Sequence, residues 1–292
     1  MGIKLSLRKI LSKCLGCKEN QGIKDAMEAK LIRIKKAFSK NKVGIADISA
    51  AFKELRFQDN DNLMVHCSWR NMYQFIGKPN DVINILLNDI IPKGTLAMPC
   101  YVQNIKVVDI DKDPSAAGVL SEVFRTQYNV KRSKGNHWQV AAIGNNADYI
   151  VNDHIKSVYG FDKNSPYYKF AMLKNSYIVL MGMGKESVQL SLYHLVESIL
   201  KNEVSFFGDI LTEHYECTVT YQENGGVVTR KYKCIDRVPT KPNKKNIKKI
   251  YKQEFIESVR VGNIDIVKVD ATRCLDYCIK EARKNRFMIK RQ

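Results

Sequence analysis

His194 and Glu197 lie three residues apart in Leu192-Tyr-His-Leu-Val-Glu197. On a helix this spacing puts both side chains on one face. An imidazole titrates near neutrality, and a carboxylate beside it raises its basicity and fixes its tautomer. The pair suits a base that takes a proton from an attacking amine, although the same spacing also describes an ordinary surface pair. Just upstream, Gly182-x-Gly184 follows an apolar run. Two glycines there permit a tight turn and a close approach of backbone to a ligand. A dinucleotide fingerprint needs a third glycine opening a helix, and Lys185-Glu186-Ser187 does not supply it. Cys67 and Cys100 end apolar stretches and read either as a thiol nucleophile with a distant histidine or as small buried residues. Cys14-x-x-Cys17 has zinc-ligand spacing, but no second Cys/His pair lies near it in the sequence, and no metal is expected.

The elements that would position these residues follow from hydrophobic periodicity. A helix starts near Asp25, with Ala29, Ile32, Ala37 and Phe38 on one face, and a second covers 47–55 with Asp47 as its cap. Residues 63–67, 95–98 and 177–181 read as buried strands, and 140–143 as a short one. Helical patterns cover 82–87, 119–125, 147–152 and 190–200. The alternation predicts an α/β domain with a mostly parallel or mixed sheet. Further on, 216–221 alternates, 223–226 turns and 227–234 returns, a β-hairpin. Residues 241–252 form a basic linker or helix surface, and 271–287 a final helix with Cys274 and Cys278 packed on one face. The organisation expected is a basic arm, residues 1–24, and one domain, residues 25–292.

The 292 residues are 45% hydrophobic, enough for one large core, and no apolar stretch approaches bilayer length. Residues 1–20 lack the continuous apolar stretch of a secretory signal, and with eight cysteines this predicts a cytoplasmic protein with reduced thiols. The net charge of +18 admits a nucleic acid, an anionic membrane surface or an anionic small ligand, or simply solvated faces. Within the arm, Ile3, Leu7, Ile10, Leu11 and Cys14 recur at helical spacing against Lys4, Arg8, Lys9 and Lys13. That is a basic amphipathic helix able to lie on the inner face of a membrane, or a docked terminus.

Several segments, in order, carry a family resemblance. They are Leu63-Met-Val-His-Cys-Ser-Trp-Arg70, Pro92-Lys-Gly-Thr-Leu-Ala-Met-Pro99, Gly118-Val-Leu-Ser-Glu-Val-Phe-Arg125, Asn129-Val-Lys-Arg-Ser133, Val140-Ala-Ala-Ile-Gly144, Asn164-Ser-Pro166, Ile178-Val-Leu-Met-Gly-Met-Gly184 and Leu192-Tyr-His-Leu-Val-Glu197. Together they resemble the aminoglycoside 3-N-acetyltransferases over residues 45–236. The resemblance implies a three-layer α/β/α sandwich with a mixed central sheet and a C-terminal β-hairpin, and acetyl-CoA as acyl donor. It implies His194 as general base and Glu197 as its orienting partner. Ser68, Arg132 and Ser133 would lie near the coenzyme, with Gly182 and Gly184 against the pantetheine arm. Asp236 and His137 would lie on the acceptor side.

Departures from the family pattern bear on the acceptor. Where the family carries His-Pro after its Arg-Ser, this chain reads Lys134-Gly-Asn-His-Trp138, so His137 stands in a shifted register. Acidic residues that would hold a polycationic drug are thinned: none follows Pro99 until Asp109, and Cys234 stands near Asp236 where a carboxylate is expected. A strongly basic protein repels a polycation over long range. The expectation is therefore N-acylation of an amino sugar or sugar nucleotide in polysaccharide biosynthesis. The alternatives are a true aminoglycoside N3-acetyltransferase conferring antibiotic resistance and, in another class, a nucleic-acid-binding protein using the basic surface.

Overall fold

The structure is a computed structural model that describes residues 23–292; the arm and the Cys14-x-x-Cys17 pair lie outside the described residues, except for the first residues of the opening helix. The strands in chain order are β1 (Asn62–Cys67), β2 (Thr95–Pro99), β3 (Val107–Asp109), β4 (Lys131–Arg132), β5 (Val140–Gly144), β6 (Ser176–Met181), β7 (Glu213–Glu223), β8 (Gly226–Asp236), β9 (Thr240–Pro242), β10 (Ile256–Val261), β11 (Ile264–Asp270) and β12 (Ile289–Arg291). The helices are α1 (Ile23–Phe38), α2 (Ile45–Glu54), α3 (Pro79–Asn84), α4 (Val119–Arg125), α5 (Ala147–Val151), α6 (Pro166–Ala171), α7 (Leu195–Ile199), α8 (Ser205–Ile210), α9 (Lys244–Ile250) and α10 (Ala271–Arg283).

Seven strands form one mixed sheet in the order β10-β11-β6-β1-β2-β5-β4. β1 is central and runs parallel to both β2 and β6, while β5 and β11 pair antiparallel on the outside. The three parallel strands are almost continuously apolar because both of their faces are covered. Alternate side chains serve opposite cores: Met64, Ile178 and Leu180 join one cluster, and Leu63, Val65, Val179 and Met181 join the other. The first cluster is closed by α5, α6, α7 and α10, and the second by α2, α3 and α4. The expected three-layer sandwich is thus realised. β7 and β8 form the hairpin, with β3 added parallel to β7, over a third small core that includes Val108, Val219 and Tyr221.

Local differences have local causes. Asp47 is not the cap of α2: Gly44 holds that position, and Asp47, three residues in, accepts the Gly44 N–H at 2.7 Å. The helical pattern at 190–200 is a 3₁₀ turn (Ser191–His194) that passes into α7. Glu197 lies in the first turn of α7, and the i, i+3 spacing puts it on the same face as His194. The last helix stops at Arg283, not 287. Asn285 adopts φ 57°, Arg286 N–H reaches the Glu281 carbonyl, and Asn285 N–H reaches that of Ala282, a left-handed C-terminal cap.

Candidate active site

The site lies at the carboxyl ends of β1 and β6, the crevice where open α/β sheets bind ligands. After β1 the chain turns at Ser68, whose N–H donates to the Met181 carbonyl at the end of β6, and β6 runs into Gly182. Gly182 has φ 68°, and a side chain there would collide with Met72 and the Ser68 carbonyl. Gly184, at φ 81°, faces open space. The two glycines therefore let the strand end bend hard against the Ser68 turn and leave room beyond it.

His194 closes one wall. Its Nδ1 lies 2.6 Å from Glu197 Oε1, and the carboxylate is fully buried. Tyr159 donates its hydroxyl to Oε2, and Arg237 Nη1 lies 3.0 Å from Oε1. Arg237 Nη1 is also 2.6 Å from His194 Nδ1, so two groups compete for one ring nitrogen. Ionised Glu197 decides between them: Nδ1 carries the hydrogen and donates it to Oε1, and Nε2 is left as a lone pair. Burial pushes the Glu197 pKa up, but His194, Arg237 and Tyr159 outweigh it and hold the carboxyl below its usual range. Burial depresses the His194 pKa; Glu197 opposes this and Arg237 adds to it, and the net shift is downward. Burial, with Glu197 beside it, raises Tyr159 well above its usual value, so it stays a donor.

The pocket that His194 lines measures about 370 Å³ and has aromatic walls: Tyr101, Trp138, Phe161, Tyr167 and Tyr193. No Asp or Glu is among its lining residues. His66, at the end of β1, adds a buried Nε2 with no hydrogen-bond partner among the described residues; burial holds this imidazole down to about 4, hence neutral. Val188 and Gln189 are shared with a second groove of about 520 Å³ lined by Ser68, Asn71, Met183, Lys244, Lys248 and Glu186, whose carboxylate pairs with Lys248 at 3.1 Å. A larger cavity of about 720 Å³, behind Tyr159 and Ser198, does not include His194.

The residues singled out in the sequence divide. His194 and Glu197 meet; Ser68, Gly182 and Gly184 gather at the second groove, either lining it or flanking Met183. Arg132 and Ser133 do not join them and line neither pocket. Arg132 sits on edge strand β4, its guanidinium committed to the carbonyls of Cys100, Ile110 and Asp113. Ser133 Oγ accepts the Val140 N–H and bonds His154 Nδ1. Four of the five Arg132 guanidinium N–H groups and the Ser133 hydroxyl thus serve partners within the protein. His137 stacks on Trp138 at 4.9 Å and lies behind the pocket wall, with burial holding it down to about 4 and Asp236 partly opposing. Asp236 accepts the Arg237 N–H. Cys67 packs on Met72, and burial pushes its thiol up to about 12, too weakly ionised to act as a nucleophile near neutral pH. Arg237 and Tyr159 were not visible from spacing, being 40 and 38 residues from Glu197.

A buried His–Glu pair on an aromatic pocket thus lies beside a groove lined by Lys244, Lys248 and Glu186, at the strand ends of a mixed α/β sheet. The profile of the family described as aminoglycoside 3-N-acetyltransferase matches residues 64–282. Aminoglycoside N(3)-acetyltransferase III of Pseudomonas aeruginosa is 26% identical over 202 residues, 61% of this chain and 73% of that protein. A solved structure described as AAC-IIIb binary with CoASH superposes with a TM-score of 0.68 at 18% identity, covering 84% of this chain and 98% of the other. The YokD protein from Bacillus subtilis gives 0.67 at 18% identity, covering 86% and 98%. The chain belongs to the aminoglycoside 3-N-acetyltransferase family. It is an N-acetyltransferase with acetyl-CoA as co-substrate.

Proposed function

We propose that the protein acetylates the primary amine of an amino sugar or sugar nucleotide, and that an aminoglycoside drug is not its preferred acceptor. The observation that carries this is an aromatic pocket, free of lining carboxylates, with a neutral base in its wall. Aromatic faces suit the apolar face of a sugar ring. A polycation would enter with no lining counter-charge, against a net charge of +18. The alternative, a drug-modifying enzyme, has one observation in its favour: the Asp236 carboxylate lies next to Arg237, which bonds His194, and acts on His137, which stacks on the pocket-wall Trp138.

In this reading the acetyl thioester lies across the shared wall of Val188 and Gln189. The pantetheine runs past Ser68 and the Gly182–Gly184 turn, and Lys244 and Lys248 serve the coenzyme's phosphates. The amine attacks the thioester carbonyl and a C–N bond forms. His194 Nε2 accepts the amine proton while Glu197 holds the imidazolium. The C–S bond then breaks and the coenzyme A thiolate leaves, taking the proton from His194. Backbone donors near the strand ends stabilise the intermediate oxyanion.

Two measurements test this. Acetyl-CoA turnover is compared across UDP- and dTDP-amino sugars and an aminoglycoside panel; the expected result is faster turnover with an amino sugar, and efficient acetylation of kanamycin or gentamicin would overturn the acceptor assignment. The pH profile tests the base. His194 acts as the neutral form and its pKa is depressed, so kcat/KM should fall only on the acid side of the ordinary histidine range and stay flat through neutrality. An acidic limb centred above pH 7 would contradict the neutral-base assignment.

A further inference from the structure

The opening helix does something that acyl transfer does not require. α1 carries Met27, Leu31, Ile34 and Phe38, which are 55%, 51%, 48% and 81% exposed. Spacings of four, three and four residues keep them on one face. Ala26, which is buried, packs on the body of the protein instead. Beyond the helix, Val43 bridges to Phe75 and accepts the Ile76 N–H, and Ile45 and Ile76 are also exposed. Four large, exposed apolar side chains aligned on one face of a helix are not ordinary surface decoration.

The charges around the stripe select its partner. Residues 23–42 hold Lys24, Lys30, Arg33, Lys35, Lys36, Lys40 and Lys42 against Asp25 and Glu28. Among the described residues, Arg33, Lys35, Lys36, Lys40 and Lys42 form no ion pair. A second copy of this helix would set like charges against each other. An anionic bilayer satisfies both halves of the face, with acyl chains for the stripe and headgroup phosphates for the flanking cations. At 16 residues α1 is too short to span a bilayer and long enough to lie along one.

We propose that α1 is a membrane-docking helix that lies in the headgroup layer of an anionic bilayer, with Met27, Leu31, Ile34 and Phe38 at the acyl boundary. The full-length protein is sedimented with vesicles of phosphatidylcholine alone and of phosphatidylcholine mixed with phosphatidylglycerol. The wild type is expected to bind the anionic vesicles only, and less as salt is raised. A Leu31→Ser/Phe38→Ser variant is expected to bind about tenfold more weakly or worse, and a Lys30→Glu/Lys35→Glu variant, at the two cations that flank the stripe, to lose binding to anionic vesicles. Because these side chains are exposed, thermal melting of both variants should match the wild type, which separates lost binding from lost folding. Wild-type affinity in the serine variant would overturn the proposal and move any attachment to the residues before α1. Absence of vesicle binding by the wild type, with a dimer that the serine variant breaks, would assign the face to a second copy instead.

Discussion

Replacing His194 with alanine is expected to lower kcat for acetyl transfer by roughly 10²–10⁴-fold and to leave the KM for acetyl-CoA nearly unchanged. The side chain is 13% exposed and sits between Phe161 and Tyr193, with its polar contacts confined to Nδ1. Its loss removes the only group in the pocket that combines a free lone pair with a carboxylate to hold the resulting charge. The proposed coenzyme groove is the neighbouring one, so the effect should fall on turnover. Release of the coenzyme thiol under saturating acetyl-CoA measures this, with a melting curve as a folding control. Undiminished turnover in a folded His194→Ala protein would remove the proposed base. His194→Gln keeps much of the volume without the basicity and should be equally impaired, which separates proton transfer from packing.

The second large effect is on stability. Arg237→Ala should destabilise the fold by about 3–5 kcal/mol, because it strands a carboxylate that is fully buried. Tyr159 and His194 each supply one hydrogen bond, but Arg237 supplies the full positive charge that lets Glu197 remain ionised without water. The substitution should also move the acidic limb of kcat/KM upward. Arg237 helps depress the His194 pKa, so its removal makes the imidazole easier to protonate and erodes activity at pH 6 more than at pH 8. Urea unfolding midpoints and a pH–rate profile check the two halves. An Arg237→Ala protein as stable as the wild type, with an unshifted limb, would show that Glu197 does not depend on the guanidinium. Arg237→Lys should recover part of the stability, since it restores the charge without the planar fork.

The parts of the fold that could be read from sequence were those whose side chains have one environment. β1, β2 and β6 are apolar on both faces, so their runs are unambiguous. β10 and β11 drew no strand assignment, because β11 is a buried strand that carries Asp265 and Lys268. Lys268 is tolerable there because its amine donates to the Leu55 carbonyl and pairs with Glu257, partners visible only once the chain is folded. The site followed the same division. His194 and Glu197 are local to each other and legible from spacing, whereas Tyr159 and Arg237 reach Glu197 from separate loops. Asp236 drew notice and Arg237, one residue on, did not, because an arginine in so basic a sequence carries no signal of its own. Arg132 shows how little residue type alone decides: a guanidinium that suits phosphate is equally suited to gathering the carbonyls of Cys100, Ile110 and Asp113, which only the folded chain brings to it.

The placement of β11 has a consequence for synthesis. β6, the strand that delivers the glycine turn, pairs with β1 on one side and with β11 on the other, and β11 is drawn from the last thirty or so residues of the chain. Until the ribosome has released that segment, the Ile178-Val-Leu-Met181 run presents an open, apolar hydrogen-bonding edge. Nascent or C-terminally clipped chains should therefore depend on chaperones and aggregate readily, even though all the residues of the catalytic network, up to Arg237, have already been made.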